Sequence, residues 1–135
     1  MAALTSDRNT KRRDGLSLSL PMAASTTVHG GSIVCVNASG YAVSGSTSAT
    51  LKAAGVAASG KRNTGAAGAE RVDVKKGVHC LANSASADAI TLADIGADCY
   101  IVDDQTVAKT SATSTRSVAG KVFDVDAEGV WVDFR

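Results

Sequence analysis

Large apolar side chains are scarce in this chain, and that scarcity limits the core it can build. Val, Leu, Ile and Phe account for 28 of 135 residues, about 21%, whereas Ala, Ser, Thr and Gly account for 64. This fraction lies just above the ~20% level below which chains tend to be disordered. The net charge of +1 is too low to favour disorder further. We therefore expect one folded domain with a thin core, whose stability is partly shared with a partner surface.

The apolar residues occur in short alternating runs between turn residues, a pattern typical of β-structure. Val outnumbers Leu about two to one, and the chain contains a single Pro, which favours strands over helices. Strands at roughly ten-residue spacing predict an all-β fold, either a small β-sandwich or a partly open β-barrel of short antiparallel hairpins. One short helical turn is expected at 92–95, between a Thr91 cap and Gly96. Residues 44–69 are expected to supply one strand and a long flexible loop at 59–69.

Two of the three predicted hairpins lie in the body of the sequence, and each has a four-residue turn. In the first hairpin Val36 is expected opposite Tyr41, which leaves one face apolar. In the second hairpin Val102 is expected opposite Val107. Between these hairpins the sequence predicts a long strand with a bulge or bend at Gly77.

The third hairpin lies near the C-terminus and determines which face carries the only Trp. An even turn sets Val125 against Val130 and Phe123 against Val132. This register directs Phe123 inward and Trp131 outward. Because a large aromatic side chain at the surface is typical of interface centres, we expect Trp131 to lie at a subunit contact.

The N-terminal part of the chain differs from the rest in charge and patterning. The first twenty residues carry a net charge of +2, and the remaining 115 carry −1. We expect a basic, extended or flexible arm over 1–27, mobile up to residue 15, and a β-domain over 28–135. Segment 16–27 is expected to become ordered only against a partner. The candidate contact residues are four basic side chains and three alternating Leu side chains: Arg8, Lys11, Arg12, Arg13, Leu16, Leu18 and Leu20. The alternative is a solvated tail without a role.

Charge and composition also limit the class of partner. Nucleic-acid-binding domains usually carry a larger basic excess and aromatic stacking platforms, and this chain has two Phe, two Tyr and one Trp. We therefore expect the basic arm to meet an acidic protein surface, with no nucleic acid as partner. No apolar stretch approaches the ~18 residues of a membrane span, so no membrane is expected as partner. The charged N-terminus is unlike a signal peptide.

No catalytic, metal or cofactor site is recognised in the sequence. Cys35, Cys80 and Cys99 are widely spaced, which argues against a zinc ribbon or a disulfide scaffold and favours buried reduced thiols. The stretch 55–62 matches G-x-x-x-x-G-K but continues with Arg, where a phosphate loop needs a hydroxyl group. His79 precedes Cys80 directly, and neighbouring side chains of a strand point to opposite faces. These patterns predict a protein that is not an enzyme.

Several strands resemble those of a known family. The run at 91–110 (TLADIGADCYIVDDQTVAKT), followed by 115–134 (TRSVAGKVFDVDAEGVWVDF), resembles the capsid cement, or head decoration, proteins of tailed bacteriophages. Upstream, 72–84 (VDVKKGVHCLANS) and 54–59 (AGVAAS) are similar to the matching strands of that family. The resemblance covers roughly 28–135. It does not include the basic arm, whose role is inferred from its charge.

The resemblance implies a structural role on a virus particle. It implies a homo-oligomer, commonly a trimer, that binds the major capsid protein on the outer face of the virion after synthesis in the host bacterial cytoplasm. Such a protein staples neighbouring capsid subunits against the pressure of packaged DNA, without cofactors. Two alternatives remain open. One is a virion-surface module that recognises host glycans through Trp131 and Tyr41, and the other is a small cysteine hydrolase that uses Cys80 or Cys99.

Overall fold

The structure, a computed structural model, describes residues 2–135. This part of the chain forms twelve strands and two single 3₁₀ turns, at Ser86–Asp88 and Leu92–Asp94, so the predicted all-β fold is confirmed. The strands are β1 (Ser17–Pro21), β2 (Thr26–Val28), β3 (Ile33–Val36), β4 (Ala42–Ser44), β5 (Lys52–Ala57), β6 (Lys61–Asn63), β7 (Arg71–Lys75), β8 (Val78–Asn83), β9 (Asp98–Ile101), β10 (Thr106–Ala108), β11 (Val118–Asp126) and β12 (Gly129–Asp133).

The strands are arranged in three units. An antiparallel sheet in the order β1-β7-β5-β3-β4, here called the central sheet, covers one side of a closed barrel in the order β10-β8-β12-β11-β9. In the barrel only the pair β8–β10 is parallel. Strands β2 and β6 form a separate two-stranded ribbon. The predicted small barrel is therefore present. It is closed, and the chain adds a second sheet beside it.

Two hydrophobic cores lie on opposite faces of the central sheet. Along β3, Ile33 and Cys35 point into the barrel-side core, whereas Val34 points into the other core. This alternation follows from the two-residue period of a strand. The barrel-side core also contains Leu81, Ile101, Val107, Val122, Val130 and Val132, and the second core contains Met22, Val28, Ala54, Ala57, Val72 and Val74. The thin core predicted from composition is thus divided into two small ones.

The N-terminal segment corrects one prediction. Strand β1 pairs with β7, with Leu18 opposite Val74 and Leu20 opposite Val72. Leu18 and Leu20 are half-buried and pack against the second core, so segment 16–27 does not need a partner to become ordered. The expected boundary at residue 27 is also displaced, because β2 pairs with β6 inside the folded body. The exposed arm comprises 2–16.

The first two hairpins differ from prediction by one residue. Val36 lies opposite Ala42, not Tyr41, because the Asn37 N–H donates to the Tyr41 carbonyl at 2.9 Å and closes a three-residue turn at 38–40; the Asn37 side-chain oxygen also accepts the Tyr41 N–H at 3.0 Å. In the second hairpin Val107 lies opposite Ile101. Here the N–H of Val102 donates to the Thr106 carbonyl at 3.0 Å, so this turn also comprises three residues, 103–105, instead of four.

The third hairpin begins as predicted and then departs from the prediction. Val125 lies opposite Val130, but the register shifts between Val122 and Asp124. Val122 therefore pairs with Val132 and is buried, and Phe123 is left exposed instead of inward. A β-bulge of this kind reverses the side-chain alternation on one side of it. The predicted inward residues at the C-terminus are confirmed: Val130 and Val132 of β12, and Phe134 directly after it, are buried.

The segment expected to be a flexible loop at 59–69 contains strand β6 and an organised turn. Asn63, at the end of β6, is buried, and its side-chain amide donates to the carbonyls of Ala23 and Ala66 at 3.0 Å each. Its side-chain oxygen accepts the N–H of Gly65. A satisfied buried amide fixes the backbone around it, because leaving any of these groups unpaired costs about 1–3 kcal/mol.

The predicted long strand through Gly77 consists of two strands in different sheets. Gly77 has φ +104° and connects β7 of the central sheet to β8 of the barrel. The predicted helical turn is present at Leu92–Asp94, where the Asp94 carboxylate accepts the Thr91 N–H at 2.8 Å. The turn at Ser86–Asp88 was not predicted.

A close backbone approach between β8 and β12 of the barrel gives a stability test. Gly129 opens β12 with φ +145°, and a Cβ atom there would collide with the Leu81 carbonyl oxygen of β8. Gly40 has φ +87° but open space around it. We expect Gly40→Ala to lower the free energy of unfolding by about 1–2 kcal/mol, from left-handed backbone strain alone. Gly129→Ala adds a clash of about 1–3 kcal/mol and is expected to cost about 2–5 kcal/mol. Equal losses in urea unfolding would contradict the tight β8–β12 contact.

Candidate functional site

The basic arm extends from the edge of the central sheet and is exposed along its whole length. At its root the Leu16 carbonyl accepts the Lys76 N–H at 2.9 Å, which continues the β1–β7 ladder by one residue. Within residues 2–135, no hydrogen bond or ion pair joins 2–15 to the rest of the chain. The four basic candidates all lie in this free stretch: Arg8, Lys11, Arg12 and Arg13. Fifteen extended residues reach up to ~50 Å.

The three candidate Leu residues have different environments. Leu16 is exposed, with 58% of its surface accessible, and remains available to a partner. Leu18 and Leu20 contact the chain's own second core and have little apolar surface left to offer. The apolar contribution of the arm to any contact therefore comes from Leu16 and from Leu4, which is 71% exposed.

Trp131 lies on the outer face of the barrel, apart from the elements that carry the arm. Its neighbours across the strands are Asp124 on β11 and Cys80 on β8. The indole N–H donates to the Asp126 carboxylate at 2.8 Å. This hydrogen bond lowers the pKa of Asp126 below its usual range, and a second hydrogen bond, from the Glu128 backbone N–H, lowers it further. The structure thus places Trp131 outward but half-buried, with its polar edge already satisfied within its own hairpin.

An exposed apolar patch on the barrel was missed by the sequence reasoning. It consists of Leu92, Ile95 and Phe123, which are 64%, 49% and 56% exposed. Two backbone hydrogen bonds of 2.9 Å join Val122 to the Gly96–Ala97 segment, so the turn at 92–95 lies beside Phe123. We call these three residues the barrel patch. Simple alternation along β11 placed Phe123 inward, and only the bulge, which no local motif marks, brings it to the surface.

The pKa values of the three thiols are raised, which disfavours the nucleophilic thiolate form. Burial raises the pKa of Cys35 to about 12 and that of Cys99 to about 11. At Cys80, partial burial and then the negative charges of Asp126 and Glu128 raise the pKa. A catalytic cysteine needs the opposite shift, toward a thiolate near neutral pH. All three cysteines are free, as expected, although Cys80 is only partly buried.

Neither the phosphate-loop-like sequence nor the groove between the central sheet and the barrel forms a site of evident chemistry. Residues 55–62 lie in β5, a turn and β6, with no helix to receive a phosphate. The groove between the central sheet and the barrel, of about 690 Å³, is lined by charges that are mostly paired internally. Lys121 binds Asp98 at 2.7 Å, and the Lys76 ammonium donates to the Ala54 carbonyl at 2.8 Å. Among residues 2–135, no three His, Cys, Asp or Glu side chains converge as metal ligands.

Tyr41, the second aromatic candidate for glycan contact, is half-buried at the turn between β3 and β4. Its ring lies near Gly68, where a Cβ would be 3.6 Å from the Tyr41 ring edge. Tyr41 therefore belongs to the central sheet, whereas Trp131 belongs to the barrel, and the two rings lie on different units. In the described part of the chain no helix is long and apolar enough to cross a membrane.

Because the chain contains a single Trp, its fluorescence reports directly on the Trp131–Asp126 bond. A carboxyl group whose pKa is lower in the folded state than in the unfolded state stabilises the fold at pH values above its unfolded-state pKa. This stabilisation is lost as the pH falls through the folded-state pKa. We expect an emission change at a pH below the usual Asp range of about 3.9. Asp126→Asn, which does not titrate, removes that change, and Asp88→Asn retains it. A titration unaffected by Asp126→Asn, with far-UV circular dichroism constant, would contradict the bond.

Comparison with known proteins identifies no relative. No protein-family model matches the sequence, and no curated protein or solved structure matches it at a significant level. The features of residues 2–135 that bear on function are the free basic arm, the outward Trp131 and the barrel patch.

Proposed function

We propose that this protein is a structural virion protein that binds the outer surface of an assembled phage capsid and stabilises contacts between major capsid protein subunits. The observation that carries the proposal is the combination of an ordered all-β body with a basic arm whose residues 2–15 are exposed and form no hydrogen bond or ion pair with the rest of residues 2–135. The resemblance of 91–134 to capsid cement proteins supports it. The raised pKa values of the thiols are consistent with a binding role.

Stabilisation by such a protein is a linkage effect. A ligand that binds the assembled shell and not its separated subunits shifts the equilibrium toward the shell, by an amount that grows with its concentration relative to Kd. Many copies on one particle add their contributions where the geometry allows simultaneous contact. Weak individual contacts are therefore sufficient, and a small body with two thin cores can act as a cement.

The arm is expected to adjust affinity without creating it. Each exposed ion pair formed by Arg8 or by 11–13 contributes only about 0–1 kcal/mol. Ordering the arm costs about 1–2 kcal/mol of backbone entropy per residue. Since Leu18 and Leu20 are already used by the chain's own core, only Leu4 and Leu16 can offset this cost through apolar burial. In this proposal the folded body, assembled as a homo-oligomer, therefore makes the principal contact with the capsid, and the arm makes a secondary one.

Capsid binding is tested with particles of the encoding phage that lack this protein. We expect the purified protein to sediment with these particles in a saturable manner and to raise the temperature at which they rupture, since it binds only the assembled state. Empty tubes and particles already saturated with the protein are the controls. Protein that stays in the supernatant at both low and high salt would contradict the proposal, and selective binding to a glycan array would favour the host-glycan alternative.

Two deletions separate the arm from the fold. Removal of 1–15 leaves β1 in place, so we expect unchanged circular dichroism, a capsid affinity lowered by roughly three- to thirty-fold, and a flatter salt dependence. Removal of 1–20 also deletes four of the five residues of β1 and uncovers Val72 and Val74 of β7, so stability as well as affinity is expected to fall. Equal affinity and equal salt dependence for the full chain and the 1–15 deletion would show that the arm is passive.

A further inference from the structure

The barrel patch is produced by a specific backbone irregularity. The register shift between Val122 and Asp124 turns Phe123 away from the barrel interior, where simple alternation would have buried it. The 92–95 turn is held beside it by hydrogen bonds to Val122. Bulges that re-aim a side chain are over-represented next to functional sites, and contiguous exposed apolar groups mark interaction surfaces. The barrel patch is therefore a surface that lacks its partner in the isolated chain.

The exposed apolar side chains outside the barrel patch are the candidates for contact with it. Six large apolar side chains are exposed in the described part of the chain: three form the barrel patch, two are Leu4 and Leu16 of the arm, and the sixth is Val118. Leu16 is held at the arm root by the β1–β7 ladder. Leu4, which lies twelve residues further out, is free to leave the body and carries an exposed apolar side chain.

The charges beside the two apolar groups are complementary. Immediately after Phe123, the β11–β12 hairpin carries three acidic residues that form no ion pair within residues 2–135: Asp124, Asp126 and Glu128. The arm carries Arg8 four residues after Leu4, again without an ion-pair partner in that range. Four extended residues span ~13 Å, and the three residues from Phe123 to Asp126, at the end of β11, span ~10 Å before the chain turns. With Leu4 on the patch, Arg8 therefore reaches the acidic hairpin.

From these matches we infer that the barrel patch binds the N-terminal arm of a second copy of this chain, with Leu4 against Phe123 and Arg8 beside the acidic β11–β12 hairpin. A second copy is favoured because the arm leaves its own patch uncovered. Arm and patch are different surfaces, so the contact is head-to-tail and closes into a ring when the rotation permits. This contact rests on the homo-oligomer included in the proposed function. It adds one contact to that oligomer's interface, because a single Leu and a single ion pair do not offset the cost of ordering the whole arm.

The first test measures self-association of the full chain by sedimentation equilibrium, without any capsid. We expect Phe123→Ser and Leu4→Ser each to weaken association at least ten-fold, with circular dichroism unchanged because both side chains are exposed. Val118→Ser, at an exposed apolar position outside patch and arm, is the matched control and is expected to associate normally. A monomeric wild-type chain, or wild-type association in the Phe123→Ser variant, would overturn the inference.

The second test distinguishes a second copy from the chain's own arm. In a Cys80→Ser background, Leu4→Cys protein is mixed with Phe123→Cys protein and mildly oxidised. We expect a disulfide-linked heterodimer from the mixture, and linked oligomers from a chain that carries both substitutions. An intramolecular disulfide in the doubly substituted chain, independent of concentration, would show that the arm covers its own patch. Capsid binding by a chain that fails both tests would leave the proposed function intact and remove only this interface.

Discussion

The rest of the structure depends on burial of the central sheet from both sides. The barrel covers one face, and the ribbon with Met22 covers the other. A strand in the middle of such a sheet is buried on both faces. Strand β5 accordingly contributes Val56 to the barrel-side core and Ala54 and Ala57 to the second core. Its Gly55 approaches the Lys75 carbonyl of β7 so closely that any side chain would collide there. The small residues of β5 therefore allow close backbone packing between the two cores.

Local sequence predicted the kinds of elements well and their pairings less well. Alternation and turn residues are local signals, so the all-β class, the third hairpin turn and the buried face of β12 were readable from the sequence. The register of the first hairpin depended on hydrogen bonds between Asn37 and Tyr41 that shortened the turn by one residue. The pairing of β1 with β7, across about fifty residues, depended on a free sheet edge that exists only in the folded body. Such non-local choices are made by core packing and leave no local mark in the sequence.

At the candidate site, too, some features could be predicted from the local sequence and others depend on the whole fold. Clustered charge is visible in the sequence, and the structure leaves the basic arm exposed. The roles expected for Leu18 and Leu20 were displaced because their alternation with Ser fits the chain's own β7 as well as it fits a partner. Phe123 was missed for a different reason: β11 pairs with β9 and β12 at once, and it shifts register against each of them. Accommodating both neighbours requires irregularities that the pattern of one strand does not encode.

The position of β12 in the barrel has a consequence for how the chain folds. Residues Gly129–Asp133 lie between β8 and β11, so a nascent chain that ends before them contains four barrel strands but no closed barrel. During that interval β8 and β11 each present an unpaired edge, the kind of surface on which partly folded β-proteins associate with one another. Closure brings together segments about fifty residues apart, and topologies rich in such distant pairings fold slowly. Folding of this protein is accordingly expected to be a late, cooperative event, with its greatest risk of aggregation just before the last strand is inserted.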